Sequence, residues 1–293
     1  MKYIVTHITH YIYQNAASLC HNIMIQTPKN LAFQQVEEHE QIIIPTPNYL
    51  DRQQDFFENE RVHFSIERSH AKLSVTAKST VNLWSPAWMS LNPSQTQPWE
   101  EVRDWLRSTQ ALNDIRQYYL QSKHVEFFEG LQEYTLLSFT PGRPIMEAML
   151  DLNDRIYRDF SFTPGFTDIS TPVSVVFATR KGVCQDYAHF SLACLRSIGL
   201  AARYVSGYIE TLPPPGKPKM VGADASHAWI ALYIPGHDWV EFDATNNLLV
   251  DDKHIRVAVG RDFADVTPLK GIIYSVGKQK MKVSVDVRRP EEL

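Results

Sequence analysis

The sequence predicts an α+β protein in which an antiparallel β-sandwich precedes a core of helices packed on an antiparallel sheet. Three observations predict this class. Apolar and polar residues alternate in the first 90 residues, apolar residues recur at helical spacing in the middle, and both patterns occur in the last third. The length of 293 residues is enough for two domains, each with its own hydrophobic core.

The first third of the chain is rich in strand patterns. Residues 72–83 alternate between apolar and polar at most positions, with Leu73 and Val75 among the apolar ones, as in a strand with one buried and one exposed face. Shorter β-rich runs cover residues 3–13, 41–44 and 62–66. We therefore assign residues 1–90 to an N-terminal antiparallel β domain of the sandwich type.

The middle of the chain has helical spacing. Pro98 fits the first position of a helix that continues through Val102 and Leu106. Residues 110–139 are also expected to be mostly helical, and Pro144 can open the next helix. Residues 91–140 are therefore predicted to be a helical connection, and residues 141–293 the C-terminal core.

The last third mixes helix and strand patterns. A helix is expected at 186–198, ended by Gly199, because the run is apolar and glycine is the usual residue after a helix. A proline-rich loop is expected at 211–224. Strands are expected at 202–209, 228–234, 239–242 and 281–287, the second and third forming a hairpin across residues 235–238.

Composition and charge exclude several classes of protein. A net charge of −4 and a pI near 6.3 argue against nucleic acid as the main partner. The chain holds no run of about 18 uncharged apolar residues, so no membrane is expected as a partner. The first ten residues do not resemble a signal peptide, which predicts a cytoplasmic protein. Three cysteines are too few for a disulfide scaffold.

Cys184 is the first candidate for chemistry. It follows the turn residue Gly182 and is expected to begin a helix, where the helix dipole and free backbone N–H groups favour a thiolate and an oxyanion. The alternative is a small buried apolar residue, as most free cysteines are. Cys194, in the middle of the predicted helix, and Cys20, in a β-rich stretch, fit that alternative.

His227 and Asp243 are candidates for the base and for the group that orients it. If the hairpin is symmetric about Gly236, Asp243 lies opposite Trp229, and His227 is its diagonal neighbour on the same face. A register shifted by one residue would separate them. The spacing is therefore compatible with a His–Asp pair without proving one, and both residues could equally be solvated.

Together these residues resemble the transglutaminase-like family of the papain-like cysteine enzymes. The segments that carry the resemblance are 182–189 (GVCQDYAH) with 195–208 after it, 224–229 (DASHAW), 239–247 (WVEFDATNN) and 260–271 (GRDFADVTPLKG). The β-rich start resembles the N-terminal domain of the bacterial two-domain members. The resemblance covers essentially the whole chain. One departure is Ala244, where family members usually carry proline.

The resemblance implies a papain-like core and a triad in which Cys184 is the nucleophile, His227 the base and acid, and Asp243 the orienting group. It implies acyl transfer on the amide bonds of a peptide or protein substrate, through a thioester and without metal or other cofactor. Gln185 is a candidate oxyanion donor or a solvated side chain. Trp229 is a candidate cleft wall or a core residue.

Several functions stay open. Hydrolysis by a peptidase or amidase is favoured over true protein cross-linking. Arylamine acetyltransferases and peptide glycanases use the same triad, but the N-terminal β domain fits neither. The third possibility is a catalytically inert binding or assembly module. The sequence leaves the oligomeric state open.

Overall fold

The computed structural model describes residues 1–108, 113–210 and 226–290. The strands, in chain order, are β1 (Lys2–Ala17), β2 (Leu19–Met24), β3 (Gln34–Ile44), β4 (Tyr49–Gln54), β5 (Glu60–Ile66), β6 (His70–Leu83), β7 (Ser161–Phe162), β8 (Lys181–Gly182), β9 (Ala202–Ile209), β10 (Ser226–Ile234), β11 (Asp238–Asp243), β12 (Leu248–Leu249), β13 (His254–Gly260), β14 (Leu269–Tyr274) and β15 (Gln279–Arg288). The α-helices are α1 (Trp99–Arg107), α2 (Asn113–Arg116), α3 (Leu131–Leu136), α4 (Ile145–Asp159), α5 (Val173–Thr179), α6 (Cys184–Ser197) and α7 (Phe263–Val266). The predicted α+β class is confirmed.

Two four-stranded antiparallel sheets form the N-terminal sandwich. Their strand orders are β15-β1-β6-β3 and β14-β2-β5-β4. Alternating side chains from both sheets meet in one core, because each strand turns every second residue inward. This core includes Tyr13, Cys20, Met24, Val62, Phe64, Leu73 and Val75. The predicted β-sandwich is confirmed.

The last two strands of the described chain belong to this sandwich. Strand β14 pairs with β2, and β15 pairs with β1 along ten residue pairs, from Ile4–Arg288 to Tyr13–Gln279. The alternation at 281–287 predicts a strand but not its partner, because periodicity describes one strand at a time. The pairing of β14 and β15 with β2 and β1 joins residues 269–288 to the N-terminal sheets. The domain boundaries at residues 90 and 140 stay predictions.

The connection between the sandwich and the core has less helix than expected. Helices α1 and α4 are confirmed, but residues 120–130 contain no helix. The buried guanidinium of Arg196 donates to Leu120 O and Ser122 Oγ, and Asp262 Oδ2 accepts from the backbone N–H of His124. These long-range bonds hold the backbone in an irregular path that local propensity does not reveal.

The core consists of a five-stranded antiparallel sheet, ordered β12-β11-β10-β9-β13, with α6 packed on β9 and β10. The β10–β11 hairpin pairs Ile230 with Phe242 and Ile234 with Asp238, so it is symmetric about Gly236. The predicted register is therefore confirmed. The predicted loop at 211–224 lies outside the described residues. Among the helices of the described segments, none is long and apolar enough to span a membrane.

Candidate active site

Cys184 is the first residue of α6 and is half-buried. The helix start is fixed by Asp186, whose Oδ2 accepts the Val183 N–H at 2.7 Å and the Thr167 hydroxyl at 2.6 Å. Gly182 is required here, since a Cβ at this position would lie 2.7 Å from Asp186 Cβ. The sequence therefore places the thiol at the helix start, where it stays partly accessible.

The other two cysteines are buried, as expected of packing residues. Cys20 lies in the sandwich core, and Cys194 lies inside α6. Burial raises the pKa of the Cys20 thiol, and it raises the pKa of Cys194 to about 12, because both environments disfavour a thiolate. Neither site favours a nucleophilic thiolate.

The structure brings the three predicted triad residues together. His227 and Asp243 are buried on adjacent strands, and His227 Nε2 donates to Asp243 Oδ2 at 2.8 Å. The Cys184 side chain lies close enough to the same imidazole to raise its pKa. The start of α6 and the β10–β11 hairpin thus bring the Cys184 thiol, the His227 imidazole and the Asp243 carboxylate together.

Asp243 is held by more donors than His227 alone. Its Oδ1 accepts the backbone N–H groups of Thr245 at 3.0 Å and Asn246 at 3.3 Å. Its Oδ2 also accepts Asn246 Nδ2 at 2.7 Å and His254 Nε2 at 3.2 Å. Burial alone would raise the pKa of this carboxyl, but the bonds from the two histidines hold its pKa well below the usual range.

The charge on Asp243 acts on His227. Burial by itself lowers the pKa of His227, but the hydrogen bonds and charges of Asp243 and Cys184 outweigh it and raise the pKa to about 10. His227 is therefore an imidazolium at neutral pH. An imidazolium next to a cysteine side chain is the arrangement that stabilises a nucleophilic thiolate.

Comparison with known proteins agrees with this geometry. Residues 3–82 match a family model described as the bacterial transglutaminase-like N-terminal region, and residues 139–244 match the transglutaminase-like superfamily. The uncharacterized protein Rv2569c of Mycobacterium tuberculosis (strain H37Rv) is 39% identical over 98% of this chain and 92% of its own length. The chain belongs to the transglutaminase-like superfamily. The family predicted from the sequence motifs is confirmed.

Two further proteins are similar to this transglutaminase-like chain over nearly its whole length. The uncharacterized protein ML0607 of Mycobacterium leprae is 29% identical over 97% of this chain and 98% of its own length. A solved structure named "Putative Cysteine Protease from Cytophaga hutchinsonii" superimposes with a TM-score of 0.76 at 22% identity, covering 98% of this chain and 90% of that one. At that identity the likeness shows a shared fold.

Trp229 packs against His227 in this transglutaminase-like core. Its indole is buried, and Nε1 donates to Glu241 Oε2 at 2.8 Å. The ring centroid lies 5.8 Å from that of His227 and 5.1 Å from that of His254. Trp229 is therefore packed in the core while it contacts the histidines. Gln185 lies in the first turn of α6 and is half-buried, as an oxyanion donor or a water-facing side chain can be.

Several residues around His227 and Asp243 were not predicted from the sequence. His254 and Arg256 lie on β13, and Asn246 lies in the turn after β11. Arg256 Nε donates to Glu241 Oε2 at 2.9 Å, in a buried ion pair that also fixes Trp229. Asn246 stands three residues after Asp243, a spacing that favours side-chain capping of a turn. No comparable pattern in the neighbouring sequence indicates the positions of His254 and Arg256.

The donor atoms of His227, Asp243 and His254 lie within 4.8 Å of one another, a set that could ligate a divalent cation. In the structure these atoms already satisfy each other, since both histidine Nε2 atoms lie at hydrogen-bond distance from one carboxylate oxygen, 2.8 and 3.2 Å away. Hydrogen bonds among the three side chains therefore account for their close approach.

Replacing Glu241 by glutamine is expected to destabilise the protein by about 3 kcal/mol, because it leaves the Arg256 guanidinium buried without its counter-charge. Thermal and urea unfolding of the variant would measure this. Glu37→Gln is the matched control, since Glu37 pairs with Lys2 on the surface and its loss should leave stability unchanged within error. Equal unfolding midpoints for Glu241→Gln and wild type would contradict the expectation.

Proposed function

We propose that this protein is a cysteine enzyme that performs acyl transfer or hydrolysis on amide bonds of a peptide or protein. One observation carries the proposal: His227 Nε2 donates to Asp243 Oδ2 at 2.8 Å, and the Cys184 thiol at the start of α6 lies close enough to the same imidazole to raise its pKa, in the order nucleophile, base and orienting group. The family membership supports this reading. The name of the Cytophaga hutchinsonii neighbour, a cysteine protease, is in keeping with it.

In the first half of the proposed reaction, the Cys184 thiolate attacks the amide carbonyl carbon, and the C=O π electrons move to oxygen. The first N–H groups of a helix have no intrahelical acceptor, so the start of α6 can stabilise the oxyanion, with Gln185 as a second candidate donor. The C–N bond then breaks. The His227 imidazolium gives its proton to the leaving nitrogen, and a Cys184 thioester remains.

In the second half, neutral His227 takes a proton from water or from an amine as that nucleophile attacks the thioester. The C–S bond breaks, the thiolate leaves, and His227 is again an imidazolium beside it. Water yields a carboxylic acid, and an amine yields a new amide. Asp243 keeps the ring oriented and stabilises its charge at each stage, and no cofactor is needed.

Hydrolysis is the outcome we favour over cross-linking. An inert binding module is the second candidate. The raised pKa of His227 beside Cys184 and the bond that holds this ring on Asp243 favour the enzyme over the inert module, because a module that only binds has no need of a positioned imidazolium. We also propose a reducing compartment such as the cytoplasm, where a catalytic thiol stays unmodified.

A panel of chromogenic peptide amides and glutamine-containing peptides tests the proposal, with and without a primary amine such as cadaverine. We expect amine or ammonia release and an acyl adduct on the tryptic peptide that contains Cys184, detected by mass spectrometry. Carboxylate products indicate hydrolysis, and cadaverine adducts indicate cross-linking. Pretreatment with iodoacetamide should abolish both. The proposal fails if no substrate reacts and Cys184 is alkylated at the rate of a free thiol.

A further inference from the structure

The carboxylate of Asp243 is shared between two imidazoles. Besides His227, the ring of His254 lies against it, with Nε2 3.2 Å from Oδ2. His254 is the first residue of β13 and is fully buried. Its other ring nitrogen, Nδ1, lies 3.4 Å from Oδ1 of Asp251. A second acidic residue therefore stands behind the second histidine, and the triad mechanism uses neither of them.

We propose that His254 is a positioning residue of the active site, which, supported by Asp251, holds the Asp243 carboxylate in the orientation that bonds His227. The resulting line runs from Asp251 through His254, Asp243 and His227 to Cys184. This inference rests on the proposed function, and it names a residue that acts on that chemistry through Asp243 rather than by touching the substrate.

The ring of His254 is itself immobilised. Trp229 packs against it edge-on, at 5.1 Å between centroids and 73° between planes. The Trp229 indole is held by Glu241, and Arg256, two residues along β13 from His254, holds Glu241 in turn. The Arg256 guanidinium also bonds to the backbone carbonyl of His254. Both the ring and the backbone of His254 are thus fixed, as a residue that positions another must be.

Close packing of the strands makes this arrangement possible. Gly207, on β9, lies between β10 and β13, and a Cβ there would stand 2.0 Å from Ile255 O and 2.6 Å from Trp229 Cη2. The absent side chain lets Trp229 and the start of β13 approach the strand that carries His227. Gly207 falls within the 195–208 segment of the family resemblance, and this contact gives a physical reason for a glycine there.

The charged groups around His254 decide whether its removal would raise or lower the pKa of His227. Asp243 faces His254 from β11, and Asp251 faces it from the loop before β13. The ring centroid of His227, on β10, lies 6.1 Å from that of His254. Arg256 lies on the same strand as His254. If His254 merely competes with His227 for Asp243 Oδ2, removing it strengthens the Asp243–His227 bond and raises the pKa of His227. If His254 positions Asp243, removing it weakens that bond and lowers the pKa of His227.

The experiment compares wild type with His254→Leu, which removes the donor, and His254→Gln, which can keep an N–H toward Asp243. The first readout is the titration of His227 by imidazole ¹⁵N NMR. The second is the pH dependence of Cys184 alkylation by iodoacetamide. His70→Leu is the matched control, because His70 is also buried and bonds to Arg68 O, in the sandwich. Asp251→Asn serves as a milder variant if His254→Leu does not fold.

We expect His254→Leu to lower the titration midpoint of His227, to slow alkylation at pH 7 about tenfold to hundredfold, and to move its onset to higher pH. His254→Gln should recover most of each effect, Asp251→Asn should lower the midpoint slightly, and His70→Leu should change neither readout. An unchanged or raised His227 midpoint in His254→Leu, or in Asp251→Asn if His254→Leu does not fold, would overturn the inference. If wild-type Cys184 reacts like a free thiol, the proposed function fails, and the NMR titration still decides the role of His254.

Discussion

Replacing Cys184 by alanine is expected to reduce amide turnover by at least about 10³-fold, because the variant has no atom that can form the thioester. The fold should be retained, since Cys184 is half-buried at the edge of the core and alanine favours a helix start no less than cysteine. Steady-state kinetics on the amide substrate found for wild type, together with mass spectrometry of the acyl adduct, would measure the effect.

Cys194→Ala is the matched control for this substitution. Cys194 is fully buried in the same helix, so its loss leaves a small cavity and lowers the unfolding temperature. It should leave turnover per folded molecule unchanged. Turnover that survives Cys184→Ala, or that is lost equally in both variants, would show that the chemistry does not depend on the thiol at the start of α6.

The second large effect is expected for Asp243→Asn. We expect turnover to fall by about 10³- to 10⁴-fold, because an amide cannot stabilise the imidazolium and can hold the ring in the wrong tautomer. The pKa of His227 should fall from about 10 toward its ordinary value near 6.5. The imidazolium beside Cys184 is then lost at neutral pH, so iodoacetamide alkylation at pH 7 should slow as well.

The loss of folding stability caused by Asp243→Asn should depend on pH in a defined direction. The pKa of Asp243 is lowered in the folded state, so its carboxylate stabilises the fold above the unfolded value near 3.9 and loses this contribution as the pH falls. The raised pKa of His227 adds stability below about pH 6.5 that is lost as the pH rises toward about 10. The difference in unfolding temperature between wild type and Asp243→Asn should therefore be largest near pH 5 to 6.

Asp265→Asn is a suitable control, because Asp265 pairs with Arg261 near the surface and outside the triad. Its unfolding temperature should follow that of wild type across the pH range. If Asp243→Asn keeps the wild-type alkylation rate and pH dependence, the short bond between His227 and Asp243 has no part in activating the thiol.

Local signals in the sequence were enough to predict the centre of the site. Gly182 and the apolar run after it indicate a helix start at Cys184, and symmetry about Gly236 gives the register that sets Asp243 beside His227. These predictions succeed because each depends on residues close together in the chain. The strand pattern at 72–83 succeeds for the same reason, since one strand carries its own alternation.

The parts that could not be predicted depend on contacts between distant segments. His254 stands eleven residues after Asp243, beyond a short strand and a loop, and no spacing rule for one hairpin brings the two together. The Arg256–Glu241 pair joins two strands that are not neighbours in the sheet, where a charged residue in a strand ordinarily predicts a solvent-facing position. The irregular path of residues 120–130 depends on Arg196 in the same way.

Residues 269–288 add the last strand to each of the two N-terminal sheets, and this affects the order in which the protein can fold during synthesis. Strands β1 and β2 leave the ribosome before the core, and their partners β15 and β14 follow after it, so the sequence of the core is an insertion in the sequence of the sandwich. Until residues 269–288 emerge, one side of β1 and of β2 is an unpaired edge that other chains can join. Pairing across more than 240 residues also carries a large closure entropy, and such topologies fold slowly. The two sheets thus cannot be completed until residues 269–288 are synthesised, after the residues that surround Cys184.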